Sequence, residues 1–164
     1  PFSWVKTIGQ NPMYYSVKPS GRNYSYVEND GKPLYPFGYG LSYTSFRMDD
    51  FRCEKKDDGL EISLTLENTG HMDGAEVVQI YLTGRNCDVS MPLKELKAYK
   101  KVKVSAGSKM EVTVTVPNEA FFYYDRKMRF DMHDGDYTVS VATSCDDVEK
   151  TFEVSVKDKK LILR

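Results

Sequence analysis

The side chains of this 164-residue chain that could do chemistry are carboxylates, two histidines and Ser42. Paired carboxylates are common general acids and bases in enzymes. Ser42, however, lies in the sequence GLSY rather than in the GxSxG turn of hydrolases. The acids that occur in pairs lie next to turns or strand ends, where Asp is favoured by local hydrogen bonding: Asp49, Asp50, Asp57, Asp58, Asp146 and Asp147. We therefore predict no catalytic residue in this chain.

Metal-ligating side chains are equally scattered. His71 and His133 lie in turns rich in Gly and Asp, without a third ligand nearby in the sequence. Asp131, Asp134 and Asp136 resemble a calcium loop only loosely, because the Gly and Glu positions of an EF-hand are missing. The odd number of cysteines, with no zinc-type spacing, predicts three unpaired thiols in or beside strands: Cys53, Cys87 and Cys145. We expect no metal ion and no cofactor.

Charge and hydropathy limit the partners of the chain. Its formal net charge is −1, so no overall field attracts nucleic acid or an anionic membrane. No run of 18 apolar residues is present, so we expect no membrane span. Five lysines lie close together in one segment: Lys94, Lys97, Lys100, Lys101 and Lys103. We interpret this segment as a solvated strand whose charges protect a sheet edge from pairing with another chain.

The elements that must position these residues are strands. Apolar and polar residues alternate from residue 46 onwards, which predicts about seven or eight half-buried strands separated by turns. In the segment 76–82, Val78, Ile80 and Leu82 share one face while Val77 and Tyr81 lie on the other, which indicates burial on both sides or a cover over one. This pattern predicts an all-β, antiparallel β-sandwich of immunoglobulin-like type. The immunoglobulin disulfide and core Trp are missing, which favours the fibronectin type III-like variant.

Residues 1–45, here called the arm, do not follow this pattern. The segment 33–46, PLYPFGYGLSYTSF, is aromatic and uncharged, and its Pro and Gly exclude a regular helix or central strand. Phe2, Trp4, Val5 and Ile8 predict one apolar strand near the start. We expect an extended, irregular arm followed by a sandwich of residues 46–164. Alone, the arm must wrap back on the sandwich, pair with a second copy as a homodimer, or be partly disordered.

Several motifs, in one order, resemble the C-terminal fibronectin type III-like region of family 3 glycoside hydrolases, the β-glucosidase and β-xylosidase type. The segment PLYPFGYGLSYTSF resembles the linker that enters that domain, and PFSWVKTIGQNPMYYSVKPSGR resembles the end of the preceding α/β sandwich domain and its connector. ENTGHMDGAEVVQIYL, PLKELKAYKKVKVSAG, FFYYD and GDYTVSVATS then follow in the order of the family. The position of Tyr39 more often holds His in relatives.

The resemblance implies a parent enzyme that hydrolyses β-glucosides or β-xylosides. Such retaining enzymes use two carboxyl groups about 5–5.5 Å apart. The family places its nucleophile in a barrel domain and its acid/base generally in the α/β sandwich domain, and this chain contains neither segment. The resemblance therefore implies a non-catalytic accessory region that braces the catalytic domains of the parent, and it favours a periplasmic or secreted location.

The aromatic residues of the arm are the candidate binding residues. Large aromatics dominate protein interfaces, so we predict that the following residues dock against the catalytic domains of the parent: Tyr35, Pro36, Phe37, Gly38, Tyr39, Gly40, Leu41, Ser42 and Tyr43. Sugar stacking is the less favoured role, with four candidates: Tyr14, Tyr15, Tyr24 and Tyr26. A stand-alone carbohydrate-binding or adhesion module remains the alternative function.

Overall fold

The computed structural model of the chain describes residues 2–19 and 30–164. The strands in these residues pair in antiparallel fashion. They are β1 (Phe46–Lys56), β2 (Gly59–Asn68), β3 (Gly74–Arg85), β4 (Glu95–Val104), β5 (Lys109–Pro117), β6 (Phe122–Tyr124), β7 (Phe130–Met132), β8 (Gly135–Ala142), β9 (Val148–Lys157) and β10 (Lys160–Leu163). Short 3₁₀ helices lie at Ile8–Gln10 and Asn118–Phe121. The all-β prediction is confirmed.

Two sheets enclose the hydrophobic core. The three-stranded sheet has the order β1–β2–β5, and the five-stranded sheet has the order β10–β9–β8–β3–β4. Successive side chains of a strand point to opposite faces, so every second residue enters the space between the sheets. Buried residues of both sheets form one cluster, among them Leu60, Ile62, Leu64, Leu66, Val78, Ile80, Val112, Val114, Val139, Val141 and Val154. The antiparallel β-sandwich is therefore confirmed.

Strand β3 is buried on both of its faces. Val78, Ile80 and Leu82 lie in the core between the sheets. Gln79 and Tyr81 point to the outer face of the five-stranded sheet, yet they are buried as well. The arm covers them there, which is the second of the two explanations that the sequence pattern left open.

The lysine-rich strand β4 is an edge strand, as its sequence predicted. Among the described residues it is the last strand of the five-stranded sheet and pairs with β3 along one side. Lys100, Lys101 and Lys103 are exposed, whereas the intervening Val102 and the final Val104 are buried. Charged side chains on such an edge oppose pairing with another chain.

The predicted apolar strand near the start of the chain does not form. Trp4 makes a single antiparallel bridge with Tyr35. Ile8 begins a 3₁₀ helix instead, and the side-chain oxygen of Gln10 accepts hydrogen bonds from the backbone N–H groups of Lys6 (2.7 Å) and Thr7 (3.2 Å). These local bonds turn the chain after Val5, so the apolar residues do not continue as one strand.

Two further elements were not specified by the sequence pattern. The FFYYD motif begins at Phe121, the last residue of a 3₁₀ helix, and its strand β6 has only three residues. Strand β10 was not predicted at all. It pairs with β9 across Asp158 and Lys159, which both have positive φ. Hairpin turns with two positive φ angles usually carry Asn-Gly or Asp-Gly, so Asp-Lys gives no recognisable turn signal.

A buried asparagine connects the end of the arm to the sandwich. Asn68 donates from Nδ2 to the backbone oxygens of Met72 (2.8 Å) and Val104 (3.0 Å). Its Oδ1 accepts from the Thr44 hydroxyl (2.6 Å) and the Gly70 N–H (3.1 Å). The side chain therefore uses all four of its hydrogen-bonding positions and holds the last residues of the arm beside the loop between β2 and β3.

Candidate interdomain surface

The inner side of the arm packs on the outer face of the five-stranded sheet. The ring of Tyr15 stacks on Phe37 with centroids 4.1 Å apart and an interplanar angle of 11°. Tyr15 also meets the buried Tyr81 edge-on, with centroids 6.2 Å apart. Ala142 and Cys145 complete this second, smaller apolar cluster. The arm is thus attached to the sandwich by aromatic packing.

Hydrogen bonds fix the position of the arm on the sheet. The backbone N–H of Cys145 donates to the carbonyl oxygen of Phe37 (2.9 Å). The N–H of Leu96 donates to the Tyr15 hydroxyl (3.2 Å), and Leu93 donates to the carbonyl of Val17 (2.8 Å). An irregular segment has no strand ladder, so these bonds satisfy backbone groups that burial would otherwise leave unpaired.

Gln79 supplies the central polar contact. Its Nε2 donates to the carbonyl oxygens of Gly38 (3.0 Å) and Thr143, and its Oε1 accepts from the Tyr81 hydroxyl (2.7 Å). Gln79 is 4% exposed. Burial raises the pKa of the Tyr81 hydroxyl further above neutral pH, so it remains a donor in alkaline solution as well. Sequence inspection missed Gln79, although a Gln between apolar neighbours in a strand with two apolar faces was an available signal.

The arm also folds against itself. The backbone N–H of Trp4 donates to the carbonyl of Tyr35 (2.8 Å), and the backbone N–H of Leu34 donates to the carbonyl of Trp4 (2.7 Å). The hydroxyl of the buried Ser3 accepts from the N–H of Phe37 (3.1 Å). These contacts place the first residues of the chain alongside the segment 33–46.

The outer side of the arm is apolar and exposed. Tyr35 and Tyr39 stack on each other with centroids 5.3 Å apart, and both rings remain about half exposed. Leu41 is 88% exposed and Tyr43 is 96% exposed. Several large apolar side chains exposed on one segment are typical of an interaction site in soluble proteins. We call it the arm face, and it consists of Phe2, Trp4, Tyr35, Tyr39, Leu41 and Tyr43.

The structure divides the predicted docking residues into two groups. Phe37 points inward and packs on Tyr15, while Pro36 is half-buried. The remaining members of the predicted set are exposed: Tyr35, Gly38, Tyr39, Gly40, Leu41, Ser42 and Tyr43. The Ser42 hydroxyl accepts from the N–H of Thr44 (3.3 Å), which is the local role expected of a turn serine.

The candidate sugar-stacking tyrosines also differ in their surroundings. Tyr14 is exposed, with 55% of its surface accessible. Tyr15 is half-buried, and its ring and hydroxyl already contact Phe37 and Leu96. Tyr24 and Tyr26 lie outside the described residues. Sugar stacking stays a prediction, and Tyr14 is the described candidate whose ring is accessible.

Two carboxylates of the loose calcium-loop resemblance bind partners that are distant in the sequence. Asp131 pairs with Lys159, and Asp136 accepts from Asn86, Ser155 and Arg164, each at 2.8 Å. The hydrogen bonds from these donors lower the pKa of both carboxyls. Within residues 2–19 and 30–164, no group of three or more His, Cys, Asp or Glu side chains is placed to hold a metal ion.

The three thiols are unpaired, as predicted. Burial raises the pKa of Cys53 and of Cys145 to about 11. Because the thiolate is the nucleophile, these two cysteines are poorly reactive in the folded protein. In the part of the chain that the structure describes, no helix is long and apolar enough to cross a membrane.

Comparisons with known proteins agree with this geometry. The sequence model of the fibronectin type III-like domain family matches residues 76–145. A putative β-xylosidase of Formosa agariphila is 36% identical over 155 residues, which cover 92% of this chain and 20% of that protein. The periplasmic β-glucosidase of Salmonella typhimurium is 33% identical and covers 86% of the chain. The chain spans about a fifth of the length of these curated relatives.

Solved structures show the same partial coverage. The crystal structure of a β-glucosidase from Listeria innocua in complex with isofagomine superimposes with a TM-score of 0.85 at 35% identity. It covers 94% of this chain, which corresponds to 23% of that enzyme. Both the sandwich and most of the arm therefore have counterparts in a larger protein.

Proposed function

Because the chain belongs to the fibronectin type III-like domain family and matches about a fifth of each related β-glucosidase or β-xylosidase, we propose that it is the C-terminal region of such an enzyme. The parent is a family 3 glycoside hydrolase that cleaves β-glucosides or β-xylosides. The chain is a non-catalytic accessory domain, and the two catalytic carboxylates belong to the barrel and α/β sandwich domains of the parent.

The arm face is the observation that carries the bracing role. The inner side of the arm packs against the sandwich. Four large side chains on its other side remain exposed: Trp4, Tyr35, Tyr39 and Leu41. Leaving so many large apolar side chains in water is unfavourable, since each buried methylene group stabilises an interface by about 0.8 kcal/mol. The catalytic domains of the parent are the partner that covers this surface, and its burial joins them to the sandwich.

Activity measurements test the non-catalytic assignment. The isolated chain is expected to hydrolyse aryl β-glucosides and aryl β-xylosides no faster than buffer. The enzyme encoded by the complete gene is expected to hydrolyse at least one of them. Turnover by the isolated chain, or a gene that encodes no catalytic domains, would contradict the proposal.

Variants of the complete enzyme test the bracing role. Leu41→Asp places a charge on the arm face and is expected to shorten the half-life of activity at elevated temperature by about tenfold, because a buried unpaired charge weakens an interface. Tyr99→Asp is the control, since Tyr99 is an exposed aromatic on β4 that lies outside the arm. Equal half-lives for both variants would argue against docking through the arm face.

Two other occupants of the arm face are tested in the isolated chain. The exposed Tyr14 and the Tyr35–Tyr39 pair favour carbohydrate binding as the second candidate function. Calorimetric titration with cello- and xylo-oligosaccharides supports that function if binding is millimolar or tighter and is lost in Tyr14→Ala or Tyr39→Ala.

A second copy of the chain is the other occupant of the arm face. Light scattering detects such a homodimer, and Leu41→Asp should return it to a monomer.

A further inference from the structure

Two motifs that are distant in the sequence meet on the outer face of the five-stranded sheet. The segment PFGYG contains Gly38, and strand β3 contains Gln79 within VVQIY. The Gln79 Nε2 lies 3.0 Å from the carbonyl oxygen of Gly38, although 41 positions separate the residues. The two motifs therefore form one structural unit, which neither motif indicates alone.

We propose that Gln79 is a positioning residue whose hydrogen bonds, here called the lock, hold the arm on the sandwich. The lock thereby fixes the position of the arm face before the catalytic domains bind. This proposal deepens the proposed function and rests on it for the identity of the partner. The lock itself consists of Gln79, Tyr81, Gly38 and Thr143, and each of these residues belongs to this chain.

The hydrogen bonds of Gln79 require an amide. Its two N–H donors are divided between the arm, at Gly38, and the loop after β8, at Thr143. Its oxygen is occupied by the Tyr81 hydroxyl. A glutamate of the same shape would keep the acceptor but lose both donors, and it would face two carbonyl oxygens. The site therefore discriminates between Gln and Glu.

Gly38 is required at its position for two independent reasons. Its φ is +84°, in the left-handed region that other residues rarely adopt. A Cβ atom there would lie 2.1 Å from the Gln79 Oε1 and 2.8 Å from the Tyr81 hydroxyl. Gly40, two residues later in the same motif, has neither constraint, since a Cβ atom there would meet nothing within 4 Å.

The lock acts on the arm face through the backbone. Gly38 lies in a turn closed by the hydrogen bond from the Tyr39 N–H to the carbonyl of Pro36 (3.1 Å). Tyr35 and Tyr39 flank this turn, and their rings stack on its outer side. Holding the Gly38 carbonyl on the sheet therefore sets the position of both tyrosines, although Gln79 contributes no atom to the arm face.

Cys145 provides a direct test in the isolated chain. Cys145 is 4% exposed and lies in the cluster that the arm covers, whereas Cys53 lies in β1 of the opposite sheet and serves as an internal reference. Alkylation at each site is followed by mass spectrometry. Gln79→Leu, Gln79→Glu and Gly38→Ala are expected to raise the rate at Cys145 by about tenfold or more, because the arm opens locally. Gly40→Ala should leave both rates unchanged.

The reference cysteine separates local opening from unfolding. If Gln79→Leu raised the rates at Cys53 and Cys145 together, that variant would be globally unfolded, and the milder Gln79→Glu would decide the question. If Cys145 were alkylated at the same rate in Gln79→Glu as in Gly40→Ala, the proposed lock would be wrong.

The complete enzyme separates the lock from the proposed function. Gln79→Glu is expected to shorten the half-life of activity at elevated temperature, while Lys55→Ala, at an exposed position on β1 of the opposite sheet, leaves it unchanged. An unchanged half-life in Gln79→Glu, with Cys145 alkylation raised, would refute the presetting of the arm face but keep the lock. If Leu41→Asp also had no effect, docking through the arm face would be refuted instead.

Discussion

The sandwich and the arm are both rich in large apolar side chains, but they bury them by different means. Leu64 in β2 is 1% exposed, whereas Leu41 in the arm is 88% exposed. The strands of the sandwich satisfy their backbone groups through regular pairing, and their side chains fill one shared core. The arm depends on individual donors such as Gln79 and Ser3. The sandwich therefore buries its apolar side chains within its own core, whereas the arm buries only the apolar side chains on its inner side.

The two sides of the arm differ in a way that local sequence does not explain. Phe37 and Tyr39 are two residues apart in the same uncharged segment. Phe37 stacks on Tyr15 beneath the arm, and Tyr39 stacks on Tyr35 above it. The inner pair holds the arm in place, and the outer pair is available to a partner. The same residue types thus serve attachment on one side and remain exposed on the other.

The largest expected difference compares one residue type in the two regions. Leu64→Ala should lower the free energy of unfolding by about 2–5 kcal/mol, because it leaves a cavity in the sandwich core. Leu41→Ala should change it by less than about 0.5 kcal/mol, since the side chain is already in water. Urea denaturation of the isolated chain measures both values. A large loss of stability in Leu41→Ala would show that the arm face is covered within the isolated protein.

Two neighbouring tyrosines sharpen the comparison within the arm. Tyr15→Ala removes the ring between Phe37 and Tyr81 and should expose the arm to hydrogen exchange, at a cost of about 1–3 kcal/mol in local stability. Tyr14→Ala should have no measurable effect, because its ring is exposed. Amide exchange in the segments 2–19 and 30–45 provides the measurement, with β2 amides as the reference. Equal protection in both variants would contradict the assigned packing of Tyr15.

The smallest expected effect is a pH dependence at the contact between the regions. Burial raises the pKa of Cys145 from its ordinary value of 9.0 to about 11. Between these values the unfolded state loses the thiol proton while the folded state retains it, so stability falls as the pH rises from 9 to 11. The loss should be less than about 1 kcal/mol, because local opening of the arm lets the thiol ionise in water without unfolding of the sandwich.

The control for this pH dependence is the variant that lacks the thiol. Denaturation of the wild type and of Cys145→Ala is compared at pH 8 and pH 10.5. Since other buried groups also titrate in this range, the relevant quantity is the difference between the two proteins. If the wild type and Cys145→Ala lost the same stability at pH 10.5, the thiol would not be desolvated by the arm.

Much of the sandwich could be predicted because its strands carry their own pattern. The alternation of Ile62, Leu64 and Leu66 follows directly from burial of one face. Strand β10 escaped prediction because its turn, at Asp158 and Lys159, lacks the usual glycine. The start of the arm was wrongly predicted as a strand, because apolar residues alone do not show whether a pairing partner is present.

The candidate surface was predicted in part. The uncharged, aromatic composition of residues 33–46 identified a segment that must pack against something. Composition did not reveal that Phe37 faces the sandwich of the same chain, or that Gln79 binds Gly38. Such contacts join residues that are far apart in the sequence, and each depends on where the folded sheet places its outer face.

By itself, the sequence determined the all-β class, the edge position of the lysine-rich strand and the boundary where alternation begins at Phe46. These features follow from local periodicity and turn chemistry, which each segment carries alone. Only the tertiary structure decided which arm residues face inward, which remain exposed, and why Gly38 is constrained while Gly40 is not. The reason is that burial and donor–acceptor pairing are properties of the assembled sheet and arm together, and no single segment contains them.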